Sequence, residues 1–546
     1  MKTKILFVLS LSACLISEKN FAQSPGWSWA KGIGGNGDDF PDAIATDASG
    51  NVYMAGEFKS ATMVIGSTIL TNQGGPDMFI AKYDSMGNAL WAKSAGGWYY
   101  DFISSLACDG LGNIYAAGTF ASPSITFGSF TLVNQGSSNA FLVKYDSTGN
   151  VIWAVSQASV DEDQGSSVCI DAFGNIYVGG WTGSAQGGYD IFILKYDSAG
   201  NQLWSKSGTG NSWDYATSIA ADGSGNIYLA GDFYSNSLSF GPLVLINSNV
   251  NGYAAFIVKL DSSGTALWGK ALAGSSDVYG NSVTTDTNGN AYIVGQFFDS
   301  FIVWGQDTLT DTIGVGGSVF IAKYDSMGNE LWAQGTMESY AQAYSAATDM
   351  AGNVYVSGDC EGDSILFGNV WLYLDTYEGN LFIVKYDANG NALWAINAVD
   401  SSYTPYWGQF AHVAVAASGS VYATGEFAGT IKFASSVLIN SGGWCGNHVC
   451  DDIFLAKLLS SSTVSVESFT NSTPFTIYPN PSSGHFNIRS SSVIDKIEIR
   501  NMLGETIFSK KINVTEETVN LTLPSGFYLL QITEGKKQYL HKLIIQ

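Results

Sequence analysis

Three short phrases recur seven times each along this chain, and a repeat of that length decides the architecture before any local feature does. A G-N-V/I/A-Y phrase, relaxed to GSVY in its last copy, places Tyr53, Tyr115, Tyr177, Tyr228, Tyr292, Tyr355 and Tyr422, each followed three residues on by a glycine. An F-x-x-K phrase ends on Lys82, Lys144, Lys195, Lys259, Lys323, Lys385 and Lys457. A W-A-K tail supplies Trp29, Trp91, Trp153, Trp204, Trp268, Trp332 and Trp394. The spacing is mostly 62–64 residues and falls to 51 between Tyr177 and Tyr228. The series are out of phase at their ends: Trp29 precedes the first tyrosine, and no W-A-K tail follows Lys457.

Within one period four strands are expected: a, "DAIATD" (42–47); b, "NVYMAGEF" (51–58); c, "DMFIAKYD" (77–84); and d, "ALWAK" (89–93). The a–b turn D-x-x-G-N and the c–d turn D-S-x-G-N place Asp, Gly and Asn where short hairpins need side-chain caps and positive φ, so neighbouring strands are antiparallel. Strand a is built from small residues, as suits the strand crowded against a central axis. A lone four-stranded sheet cannot bury both faces, so the units stack. Seven such blades in a ring leave the last with an open edge on strand c, and an open edge is an aggregation liability. The orphan "WSWAK" (27–31) fills it. The fold class that follows is all-β, a seven-bladed β-propeller closed by an N-terminal strand.

Charge divides the chain. Residues 24–460 hold 39 acids against 13 lysines and no arginine, a net of −26, whereas residues 461–546 hold 8 basic and 7 acidic residues. A ring that acidic lacks the electrostatic footprint and the forked donors of a nucleic-acid binder. Residues 1–23 have a lysine-bearing start and an apolar run too short to span a bilayer, the pattern of a cleaved export signal; "LSAC" ending at Cys14 looks like a lipoprotein box, but the apolar run continues past it. No transmembrane segment is expected. Residues 24–460 are read as the propeller, 461–474, rich in Ser and Thr, as a linker, and 475–546 as a second domain. Cys445 and Cys450 bracket "GNHV", and in an exported protein a local disulfide is expected there rather than a metal site. Cys108, Cys169 and Cys360 fall in strands and read as small buried side chains.

The period D-x-x-G-N-x-Y-x-x-G … D-x-F-x-x-K-Y-D-x-x-G-N-x-L-W resembles the bacterial SBBP-type seven-bladed β-propeller repeat over about four-fifths of the chain. "FTIYPNPSSGHFNI" (475–488), "IEIRNMLGETI" (497–507), "LPSGFYLLQI" (523–532) and the terminal "HKLIIQ" are similar, in order and interval, to the type IX secretion C-terminal sorting domain. That resemblance implies a small Ig-like β-sandwich, the type IX secretion machinery as partner, and a protein secreted or held at the outer-membrane surface. The positions that match its motifs are Tyr478, Pro479, Asn480, Pro481, Gly484, Gly504, Gly526, Tyr528 and Lys542.

Chemistry is sparse in the propeller. It holds two histidines, His412 and His448, and no Ser–His–Asp or paired-carboxylate constellation follows from spacing. The F-x-x-K lysines are expected to pair with turn Asp or carbonyl groups. "GIGGNG" (32–37) has no helix after it and reads as a loop. The D-x-x-G-N-x-L-W turn is similar to the tryptophan-docking repeat of quinoprotein dehydrogenases, which keeps an enzyme, quinoprotein-like or carbohydrate-active, as the alternative. The main expectation is a non-catalytic binding, adhesion or scaffold module. Both hairpin turns lie on one face, so diversity is carried by the d–a and b–c connections on the other. The d–a connections combine carboxylates with aromatics: Asp39 and Phe40; Trp98, Tyr99, Tyr100 and Asp101; Asp163; Trp213, Asp214 and Tyr215; Asp277 and Tyr279; Tyr340 and Tyr344; and Tyr403, Tyr406 and Trp407. Such residues suit a glycan or an extended peptide, and a carboxylate ring near the axis suits Ca2+. No other cofactor, no resident metal and no oligomer are expected. Blade three lacks about 11 residues between b and c, which opens a gap in the rim.

Overall fold

A computed structural model describes the chain except residues 1–24, 158, 160, 184–186, 250, 299–300, 305–306, 311–316, 338–339, 375–379, 401–410, 434–435, 447, 460–474, 481, 483, 501–505, 524–525, 535–536 and 546. The export signal, the linker, Tyr403, Tyr406, Trp407, Pro481 and Gly504 therefore lie outside the described residues. Among the described residues there is no helix. The chain divides into two compact units, Met1–Ser460 and Ser461–Gln546.

Seven antiparallel four-stranded units make up the first. Blade 1 is typical: a (Asp39–Thr46), b (Val52–Phe58), c (Asp77–Tyr83) and d (Ala89–Ala95) pair in that order. Strands b and c are buried along their whole length, because each blade is covered on both faces by its neighbours. Blade 7 takes three strands from its own repeat, His412–Val415, Val421–Phe427 and Asp452–Leu458, and its fourth from Trp27–Ile33, which pairs in register Trp29↔Lys457. The displaced tryptophan tail thus closes the ring.

The b–c connections hold more structure than four strands per blade anticipates. In six blades they fold into an outer two-stranded hairpin, Thr62–Ile65 with Thr68–Thr71 in blade 1 being the first. In blade 3 only five residues separate Ile176–Gly183 from Tyr189–Tyr196, too few for such a hairpin, which accounts for its short period.

The second unit is a single five-stranded sheet. Its central strand, His485–Arg500, pairs Phe475–Tyr478 with its first half and Gly526–Glu534 with its second, while Thr506–Asn520 runs along its other edge. Register shifts between Arg489 and Lys496 bend the long hairpin, and both halves feed one core containing Phe475, Phe486, Ile497 and Leu530. The expected sandwich is thus built from one bent sheet. The Tyr478–Pro479 peptide bond is cis, and Asn480 Oδ1 accepts from Ile544 N at 2.8 Å, which ties the Y-P-N-P motif to the last strand.

Candidate functional site

The face bearing the a–b and c–d turns is locked by repeated bonds. In each D-x-x-G-N turn one Asp oxygen accepts two backbone N–H groups and the other accepts from the Asn side chain; for Asp84 the distances are 2.9 Å from Met86 N, 2.9 Å from Asn88 N and 2.8 Å from Asn88 Nδ2. The F-x-x-K lysines pair as expected. Lys82 Nζ lies 4.8 Å from the Tyr53 ring centroid and donates to Ser147 O in the next blade at 3.1 Å; Trp91 Nε1 donates to the same oxygen at 3.2 Å. The Lys–Trp clamp repeats on Ser198, Ser262, Ser326 and Ala388. Lys457 and Trp29 complete it on Ser85 O of blade 1, so the borrowed strand makes the same junction as a resident one. At the blade 6–blade 7 seam no such clamp is found among the described residues. Trp27 Nε1 instead donates to Asn397 O at 3.3 Å.

On the opposite face the acids expected to meet a ligand turn inward. Asp39, Asp101, Asp163 and Asp214 are fully buried and hold the b–c connection of their own blade. Asp39 accepts from Ser60 Oγ at 2.7 Å and Ser60 N at 3.1 Å; Ser122 and Ser235 do the same for Asp101 and Asp214, and Thr182 Oγ1 bonds Asp163. Burial outweighs these bonds and pushes Asp39 and Asp214 up to about 7. These four carboxylates shape the rim rather than present charge at its surface. Asp277, half-buried, accepts from Tyr253 N at 2.8 Å and from Tyr279 OH at 3.1 Å.

The aromatics divide into two groups. Trp98, Tyr99 and Tyr100 stand out at the blade 1–blade 2 boundary, with Trp98 80% and Tyr99 59% exposed. Across blades 3 to 5 the rings touch one another in an unbroken strip. Trp181 and Tyr189 have centroids 4.3 Å apart, both meet Tyr215, and Tyr215 meets Tyr253 at 6.3 Å. Tyr253 meets Tyr279 at 5.4 Å, and Tyr279 meets Phe298 at 6.0 Å. Tyr234 and the 47%-exposed Trp213 branch from the middle. Tyr189 OH donates to Glu162 Oε2 at 3.1 Å. The strip begins where blade 3 lacks its outer hairpin. Beside it a polar cavity of about 350 Å³ is lined by Ser248, Asn249, Asn251, Ser275, Ser276 and Asp277.

Of the expected residues, Trp213, Tyr215, Asp277 and Tyr279 are brought together here. Phe40 lies apart, under the Lys59 ammonium at 4.8 Å. Tyr340 bonds Gln342, whose Oε1 accepts from Tyr344 OH at 2.9 Å. Trp181, Tyr189, Tyr234, Tyr253 and Phe298 escaped sequence reasoning because they sit at the ends of strands b and c rather than in the d–a segments; the variability of the b–c connections was their only signal.

Strand a also lines a central cavity. A bulge at one position of strand a takes Asp42, Ser104, Ser166, Thr217, Asn281 and Tyr344 out of the a–b register in six blades, and these line a cavity of about 190 Å³ together with His412, whose burial lowers it to about 4. One residue on, Ser105, Ser167, Ser218, Ser282 and Ser345 each accept a backbone N–H from the next blade, at 3.1–3.3 Å.

Comparison with known proteins agrees with both halves of this picture. Residues 267–296 match the beta-propeller repeat SBBP, and residues 476–546 match the secretion system C-terminal sorting domain. An uncharacterized WD repeat-containing protein of Acanthamoeba polyphaga mimivirus is 24% identical over 505 residues, covering 73% of this chain but 36% of that protein. The chain thus spans about a third of that curated relative. Among solved structures, the calcium-binding protein regucalcin of Agrobacterium tumefaciens is 12% identical, with 59% of this chain and 83% of that one covered and a TM-score of 0.28. PorZ, a surface component of the type IX secretion system of Porphyromonas gingivalis, is 9% identical, with 95% and 100% covered and a TM-score of 0.15. Among the described residues no helix is long and apolar enough to cross a membrane. The chain is thus a β-propeller that carries a match to the SBBP repeat, followed by a type IX secretion sorting domain, which marks it for export to the cell surface or beyond and for contact with that secretion machinery.

Proposed function

We propose that the propeller is a non-catalytic binding module whose ligand is a neutral glycan, held on the aromatic strip of blades 3 to 5. The observation that carries this reading is the strip itself: eight rings from three blades in continuous contact, with Trp213 and Phe298 open to solvent, beside a cavity lined by hydroxyl, amide and carboxylate groups. Sugar rings offer apolar faces that stack on aromatics and hydroxyls that donate to carboxylates and amides. The propeller's acidity disfavours anionic polymers. Delivery by the sorting domain puts this face where external polysaccharide is met.

The test is affinity electrophoresis of the full chain through gels containing dextran, laminarin, mannan or xylan. Retardation by at least one, with the dissociation constant raised about tenfold or more by Trp213→Ala and by Tyr253→Ala, is the expected outcome, since such an anchor contributes on the order of 1.4 kcal/mol or more. No retardation, or retardation untouched by both substitutions, would remove the glycan reading. Depolymerisation of a polysaccharide would replace it with an enzyme.

A further inference from the structure

A second constellation, far in sequence from the strip, lies where the ring closes. Asp38 stands just ahead of strand a of blade 1. His448 belongs to the small hairpin Trp444–Cys445/His448–Val449, which the Cys445–Cys450 disulfide closes, and Asp451 immediately precedes strand c of blade 7. One ligand atom from each of Asp38, His448 and Asp451 falls within 4.8 Å of the other two. His448 Nε2 is 3.0 Å from Asp38 Oδ1, and the Lys59 ammonium is 3.5 Å from the other Asp38 oxygen, which leaves Oδ1 turned toward the imidazole. The backbone fixes the group as well: Asp39 N donates to Asp451 O, and Lys59 N donates to Asp38 O, both at 2.9 Å.

Glu426 supplies an independent observation. It is 6% exposed on strand b of blade 7, and its Oε2 accepts no hydrogen bond. Burial, then the charge of Asp451, then those of Asp42, Asp359 and Asp38, all disfavour its ionised form. A buried carboxylate oxygen without a partner is costly unless a proton or a cation compensates it. Five acids, Asp38, Asp42, Asp359, Glu426 and Asp451, thus act on one another here, with the Lys59 ammonium beside Asp38.

We propose that Asp38, His448 and Asp451 bind a divalent transition-metal cation of the Zn2+ class, which ties the first blade to the last on the loop face. An imidazole nitrogen with two carboxylates suits Zn2+, whereas Ca2+ is held by oxygen donors alone. Three protein ligands leave a fourth position open. Cys445 and Cys450 also stand near Asp38, but as a disulfide they offer no thiolate. Glu426, whose Oε2 accepts no hydrogen bond, lies close enough to feel the charge of Asp451.

The full chain, stripped with EDTA, should take up one equivalent of Zn2+ by calorimetry and melt at a higher temperature once loaded, and Co2+ in its place should give visible ligand-field bands. His448→Ala and Asp451→Asn should each weaken Zn2+ on the order of tenfold or more, while melting close to wild type in EDTA. Uptake below stoichiometry, affinity unchanged in both variants, or displacement of Zn2+ by equimolar Ca2+ would overturn the assignment. If a substitution prevents folding, the Co2+ spectrum of the wild type decides alone, and its absence rejects the site.

Discussion

Gly149 has φ of +86°, and a Cβ there would come within 2.8 Å of the Trp91 indole of the preceding blade. Backbone and packing therefore both exclude a side chain, and Gly149→Ala should cost at least about 1–2 kcal/mol from the left-handed backbone alone. Trp91→Ala removes the same junction from its other side, with the bond to Ser147 O, and should cost about 3 kcal/mol. Trp98→Ala, at an exposed tip, should stay within roughly 0.5 kcal/mol of wild type. Denaturant midpoints of the three variants check the contrast, and equal losses would contradict it. The roles of these residues were legible because repetition marked them: a lysine or tryptophan recurring seven times is structural. The fate of Asp39, Asp101, Asp163 and Asp214 was not. A carboxylate in a loop reads as exposed, and their burial depends on partners such as Ser60, one strand away, that no local pattern links to them.

Strand order and the a–b and c–d turns follow from the Asp, Gly and Asn spacing, and the structure keeps all of them. The outer hairpins were hidden because each strand is only four residues long and alternates within a segment that reads as a loop; Gly66, Gly128, Gly241 and Gly368, with φ near +60° at their turns, were the available signal. Their absence from blade 3 leaves Trp181 and Tyr189 uncovered by a hairpin of their own blade, and this is how a deletion visible in the repeat spacing becomes the start of the aromatic strip. In blade 7 the segment between strands b and c carries the disulfide hairpin. Its closed loop is short, so Cys445→Ser with Cys450→Ser should lower stability by about 2 kcal/mol. Unfolding by denaturant, with and without a reductant, measures this; a reductant effect persisting in the double variant would contradict it.

Across the whole molecule the acids fall into two opposed classes. The Asn88 side chain and then its backbone N–H hold Asp84 below the usual range, and hydrogen bonds outweigh burial to do the same for Asp47, Asp286 and Asp349. Their folded values lie below the unfolded ones, so their contribution is present above about pH 4 and is lost as pH falls through the folded values. Burial instead raises Glu57, Asp214 and Asp359 to about 7 and Asp232 to about 8. Those contributions are complete below about pH 4 and are lost as pH rises through 7 to 8. The melting temperature in EDTA should therefore peak between roughly pH 4 and 6 and decline on both sides; a steady rise from pH 5 to 8 would contradict this. Truncation before residue 475 should leave a folded propeller inside the cell envelope, which fractionation would reveal, and normal surface delivery would contradict that. The central claim is that seven blades close through the N-terminal strand, with Trp29 and Lys457 meeting on Ser85. Deleting residues 25–32 and following melting temperature and mass in solution tests it most directly. A large loss of melting temperature, with self-association through the bared edge of strand Asp452–Leu458, is the expected result; a monomer that melts like the wild type would contradict the account.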